Sequence, residues 1–115
     1  MSELRYVVTG TITGEVAAFR DLGERMAKMV EAEEPDCLEY DWFCTPDGST
    51  FAIREGFKSE EAFLKHLENV GPAIGDLLAI AEMQGVLVLG TPSASTQEAM
   101  APFGPIFMDG VAGLS

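Results

Sequence analysis

Basic residues are scarce: seven Lys and Arg stand against 19 Asp and Glu, a formal net charge of −12 at pH 7 over 115 residues. A field of that sign repels phosphate backbones and anionic headgroups, so neither nucleic acid nor a membrane surface is an expected partner. The acidic side chains, Glu34 and Asp36 among them, are dispersed along the chain and read as a solvated surface. Cysteine occurs only as Cys37 and Cys44. On one extended strand these two face opposite ways about 23 Å apart, too far for a disulfide. A chain of this length buries roughly two-thirds of its unfolded surface, so one domain without disulfide staples is expected. No apolar run approaches the ~20 residues of a membrane span, and no leader-like apolar core opens the chain, which makes the cytoplasm the expected location. C-x-x-C hooks, G-x-G-x-x-G and P-loops, a serine elbow and the basic aromatic sheet of RNA binders are all missing. Neither metal nor organic cofactor is expected.

What is present centres on residues 35–71. Cys37 to Cys44 alternates as a half-buried strand, with Leu38, Tyr40 and Trp42 on one face and Glu39, Asp41 and Phe43 on the other. Pro46-Asp47-Gly48-Ser49 is turn chemistry, and Thr50 to Phe57 makes the second arm of a hairpin. Ser59 offers an N-cap oxygen to a helix bearing Phe63, Leu67 and Val70, which Gly71 and Pro72 are expected to stop. From Pro72 a further short helix is expected, so that residues 59–82 form one kinked arm.

Upstream, Arg5 to Ile12 alternates as a first strand, with Tyr6, Val8 and Ile12 on one side, and Thr13 and Gly14 end it. Val16, Phe19, Leu22, Met26, Met29 and Val30 then form a helical stripe. Downstream, Met83 to Gly90 is a last strand whose run Val86-Leu87-Val88-Leu89 implies burial on both faces. After Thr91 the composition turns small and polar; Ser95 and Glu98 are spaced as a capping box for a turn or two through Met100, and Ile106-Phe107-Met108 can add a short strand. The division is a domain over 1–90 and an extension over 91–115 that docks on its own or a partner subunit.

The order β-α-β-β-α-β is the ferredoxin-like, split βαβ plan of α+β proteins: a four-stranded antiparallel sheet with both helices on one face. The face left bare carries apolar groups, and a second copy of the chain is the simplest cover.

Few side chains suit catalysis. His66 is the only histidine and the only group whose ordinary pKa fits proton transfer near neutrality. Its place after Phe63 and before Val70 turns it toward the sheet, as a core-edge histidine bonded to backbone or as a general base. Glu55 shares a face with Phe51, Ile53 and Phe57, so it needs a partner, with Arg5 the first candidate, or it acts as a functional acid. Glu39 and Asp41 are weaker alternatives. Tyr6, Tyr40, Trp42 and Phe63 can line a pocket for a flat aromatic ligand or simply fill the core.

Three segments carry a family resemblance: Glu34-Pro35-Asp36-Cys37-Leu38-Glu39-Tyr40, Phe51-Ala52-Ile53-Arg54-Glu55-Gly56-Phe57, and Ser59-Glu60-Glu61-Ala62-Phe63-Leu64-Lys65-His66-Leu67. In order and spacing they resemble the E-P-G-C-x-x-Y, F-x-x-x-E-x-W and S-x-E-A-x-x-x-H-x patterns of the antibiotic biosynthesis monooxygenase domains, in the dimeric α+β barrel superfamily. Asp36 stands in place of a glycine, Phe57 where tryptophan is common, and Gly71 where many members have a second histidine. The resemblance, over roughly residues 5–90, implies a homodimer with facing sheets and a pocket between sheet and helices in each subunit. It further implies a cofactor-free oxygenase whose substrate, a quinol, anthrone or other electron-rich phenol, supplies its own electrons. In that reading His66 is the base, Glu55 its support, and Tyr40 and Trp42 hold the ring. The family's haem-degrading branch uses a strand asparagine, a helix tryptophan and a later histidine; His66 falls near the tryptophan position, so haem cleavage is not expected. The rival expectation is a non-catalytic dimer that binds a small apolar molecule or a protein.

Overall fold

The computed structural model describes residues 3–114. Along the chain run β1 (Leu4–Ile12), α1 (Val16–Glu33), β2 (Cys37–Cys44), β3 (Thr50–Phe57), α2 (Glu60–Leu78), β4 (Ala81–Leu89), α3 (Ala94–Met100), a 3-10 turn (Ala101–Phe103) and β5 (Pro105–Met108). The sheet order is β2-β3-β1-β4-β5, antiparallel through β4. β5 joins β4 in parallel. The ferredoxin-like plan is present, and the expected four-stranded antiparallel sheet becomes a five-stranded mixed one. The extra strand comes from the extension, where Ile106-Phe107-Met108 finds the open edge of β4 and satisfies its backbone groups.

Alternation decides what each strand buries. Leu4, Tyr6, Val8 and Ile12 of β1, Phe51, Ile53, Glu55 and Phe57 of β3, and Val86 and Val88 of β4 point to the helix layer and are buried. α1 meets them with Phe19, Leu22, Met26 and Val30, and α2 with Phe63, His66, Val70 and Leu77. Gly10 sits at a bulge of β1 against β4, where a Cβ would lie 2.1 Å from Glu82 O and 2.6 Å from the Phe51 ring. Only glycine lets the three segments approach so closely.

Three local expectations change. Helix α2 runs through Pro72 without stopping. The proline gives up one backbone bond, but the buried stripe from Phe63 to Leu77 lies on both sides of it, and packing outweighs the local stop signal. A bulge between Cys37 and Glu39 shifts the start of β2, so Leu38 turns outward at 44% exposure while Cys37 and Cys44 both pack on the core. The two thiols thus share a face and remain free. Within the single chain β4 is covered on one face: Val88 has no exposed surface, and Leu87 and Leu89 are exposed at 38% and 55% on the face where a second copy is expected. In the extension, α3 begins at Ala94, so Ser95, expected as the cap, lies inside its first turn; Ser93 holds the N-cap position, and its hydroxyl bonds Glu60 rather than the helix. Among the described residues, no helix is long and apolar enough to cross a membrane.

Candidate active site

The six residues expected at a site, Tyr6, Tyr40, Trp42, Glu55, Phe63 and His66, line one cavity between the sheet and the helices. The register explains how. Glu55 pairs with Tyr6 on one side and Tyr40 on the other, and Tyr6 pairs in turn with Val88, so a single rung of the sheet carries two phenols around a carboxylate. α2 lays Phe63 and His66 over that rung; Phe63 meets Tyr6 edge-on at 5.6 Å, and the imidazole lies 4.8 Å from the Phe57 ring and 5.1 Å from Tyr40. From the opposite helix, Gly23 makes room for Trp42, whose indole carbons come within 2.9 Å of where a Cβ would be.

His66 is held by two carboxylates. Its Nδ1 lies 2.8 Å from Glu34 Oε1 and its Nε2 3.1 Å from Glu55 Oε1. The same Glu55 oxygen accepts from Tyr6 Oη at 2.7 Å, and Asn69 Nδ2 donates to Glu34 Oε2 at 2.7 Å. His66, Glu55 and Glu34 are only 2%, 6% and 7% exposed. Charges buried this deeply persist only when paired and hydrogen-bonded, and here each carboxylate has both a ring nitrogen and a neutral donor.

Burial is the largest single influence on His66 and pulls its pKa down; the hydrogen bond and charge of Glu55, joined by those of Glu34, outweigh it and leave the pKa above the ordinary 6.5. Burial and then the Glu55 charge raise Tyr6 well above an ordinary phenol, so it stays a neutral donor. Tyr40 is raised by the same two causes, burial first. The Cys37 thiol, pushed up to about 11 by burial and by Glu34, is not a nucleophile at neutral pH.

Several expectations are corrected here. Glu55 takes no arginine; Arg5 is bonded to Glu3 and Glu39, and Arg54 to Asp41 and Glu39 on the other face. Glu39 and Asp41 are therefore engaged by these cations outside the cavity. His66 bonds two side chains rather than backbone. Glu34, expected in solvent, is buried, because the C-cap of α1 turns it toward α2. Sequence reasoning missed Glu34 and Asn69 as partners of His66, and it missed Met100 and Phe103 as cavity walls. Helical spacing carries no trace of a residue at a helix end, although Glu34 opened one of the quoted patterns.

The rest of the wall is apolar, from Ile53, Val70, Ile74 and Leu77 to the methionines Met26 and Met83. The cavity measures about 70 Å³, room for about two waters at ~30 Å³ each. Among the described residues, Trp42 Nε1 is the one buried side-chain nitrogen or oxygen without a hydrogen-bond partner. No group of three His, Cys, Asp or Glu among the described residues is placed to hold a metal ion.

The family model for antibiotic biosynthesis monooxygenase matches residues 5–71. The chain belongs to the antibiotic biosynthesis monooxygenase family. Three similar solved structures place the fold in the same company. MupZ from Pseudomonas fluorescens is 19% identical with a TM-score of 0.87, the match covering 100% of this chain and 95% of that one. SnoaB, a cofactor-independent oxygenase from Streptomyces nogalater, is 18% identical with a TM-score of 0.67, covering 82% and 97%. Rv0793 from Mycobacterium tuberculosis is 18% identical with a TM-score of 0.66, covering 82% and 99%. No curated protein matches. In this chain the sheet and helices form an apolar cavity with the paired His66 and Glu55 on its wall.

Proposed function

We propose that this member is a cofactor-independent monooxygenase acting on a quinol, anthrone or similar electron-rich phenol. The observation that supports it is the His66–Glu55 pair on the wall of an apolar cavity. With its ring unprotonated, His66 beside Glu55 can take the proton of a bound hydroxyl. The phenolate or enolate so formed gives two electrons to O2, which bonds at the ring carbon; the resulting peroxide takes back the abstracted proton, and loss of that carbon's hydrogen with cleavage of the O–O bond releases water and leaves one oxygen on the oxidised ring as a carbonyl. Glu34 holds the imidazole by its other nitrogen, Tyr6 steadies Glu55, and Trp42 Nε1–H meets the developing oxyanion. Phe63 and Tyr40 flank the ring. Apolar walls keep water from the reactive anion.

The deciding experiment incubates wild type and His66→Ala with a panel of quinols and anthrones, aerobically and anaerobically, following oxygen uptake and product. Uptake by wild type of at least one member, lowered about 100-fold or more in the variant, is expected for loss of a positioned base. Equal rates in both, no faster than buffer, would leave a binding module as the surviving reading.

A homodimer is part of the same proposal. On the sheet face away from the helices, Phe43, Leu87, Leu89, Ile106 and Met108 are 38–60% exposed, an apolar surface that a second copy would cover. Sedimentation should give twice the 12.4 kDa chain mass, and Leu89→Asp should shift the species toward monomer. A wild-type monomer at micromolar concentration would remove this part of the proposal.

A further inference from the structure

The extension beyond β4 is more than an added strand. The SnoaB match covers 82% of this chain and the MupZ match all of it. Met100, at the end of α3, is 2% exposed and lines the cavity, and the half-buried Phe103 of the 3-10 turn lines it too.

Two anchors hold these side chains in place. On one side of the turn, β5 is paired with β4 from Val86↔Pro105 to Leu89↔Met108. On the other, the Glu60 carboxylate at the start of α2 accepts from Ser93 Oγ at 2.6 Å, Thr96 Oγ1 at 2.6 Å and Ser93 N at 3.2 Å. Thr96 is only 1% exposed, so its hydroxyl depends on that carboxylate. The wall is latched to the helix that carries His66.

Size makes the wall matter. An apolar cavity of about 150 Å³ takes a benzene ring, and this one is about 70 Å³. A ring therefore enters only as part of the lining gives way, and the unbranched Met100 side chain is the adaptable kind. We propose that Met100 and Phe103 determine which ring sizes the cavity admits, with Glu60 positioning them. Single rings fit by small shifts of these two side chains, whereas fused rings need the wall displaced. The inference rests on the aromatic-ligand reading of the same site.

Isothermal titration of the full chain with benzene, naphthalene, phenol and 2-naphthol tests both separately. In Phe103→Ala and Met100→Ala, affinity for naphthalene and 2-naphthol should rise at least tenfold, while benzene and phenol change less than threefold. Glu60→Gln, which leaves the core side chains intact, should show the same ring-size shift at smaller amplitude, and it decides the matter if either alanine variant does not fold. An equal change at both ring sizes, or no change in any folded variant, would overturn the role of the wall. The aromatic-substrate reading fails differently: wild type would then bind phenol no better than benzene, and His66→Ala would not alter that ratio.

Discussion

His66→Ala should destabilise the protein by about 3–5 kcal/mol, the cost of leaving buried charge without its partner. The imidazole stands between Glu34 and Glu55, and removing it leaves two carboxylates, each less than a tenth exposed, with a single neutral donor apiece. The loss should depend on pH in a defined sense. Because the folded pKa of His66 lies above the ordinary 6.5, its contribution is fully present below the unfolded value and fades as pH rises through the folded one. The gap between wild type and variant in urea unfolding should therefore be wider at pH 5.5 than at pH 9. A gap that is constant or grows with pH would mean that the histidine is held neutral. Catalysis by the pair as a base has the opposite limb: it needs the unprotonated ring, so the rate should climb with pH through a value above 6.5.

Phe57→Ala is the other large effect, expected at about 3–5 kcal/mol for a buried phenylalanine truncated in place. Phe57 has no exposed surface, stacks on Tyr6 at 6.0 Å and meets Phe63 at 5.7 Å and His66 at 4.8 Å. It is the floor on which the site is laid. Denaturant unfolding reads the stability, and Phe57→Leu, which retains most of the volume, should cost markedly less. If the two variants cost the same, packing under the site is not what the phenylalanine supplies.

Much of this architecture was legible in the sequence. Alternation placed Tyr6 and Val8 on the core face of β1, turn chemistry located the hairpin at Asp47, whose carboxylate does accept from Thr45 Oγ1, Ser49 Oγ and Ser49 N, and Ser59 caps α2 as expected. The candidate residues could be named because each is an unusual type for its place: one histidine, one tryptophan and a carboxylate on an apolar strand face. Their mutual distances were not legible. Whether Glu55 meets Arg5 or His66 depends on the register of β3 against β1 and on where α2 lies over that rung, and patterning within one strand gives neither. Glu34 lay beyond local rules altogether, since its burial comes from α1 ending beside α2, a contact between residues 32 apart. For Leu87 and Leu89, which the single chain leaves exposed, the continuous apolar run does not say whether a helix or a second copy covers them.

The most direct test is a magnetic-resonance titration of the one imidazole, since His66 is the only histidine and its ring signals need no assignment. The paired arrangement predicts a midpoint above 6.5 in the folded protein, moving down in Glu55→Gln and in Glu34→Gln as each carboxylate is neutralised. A wild-type midpoint at or below 6.5, unmoved by either substitution, would contradict the carboxylate-flanked imidazole on which the proposed chemistry depends.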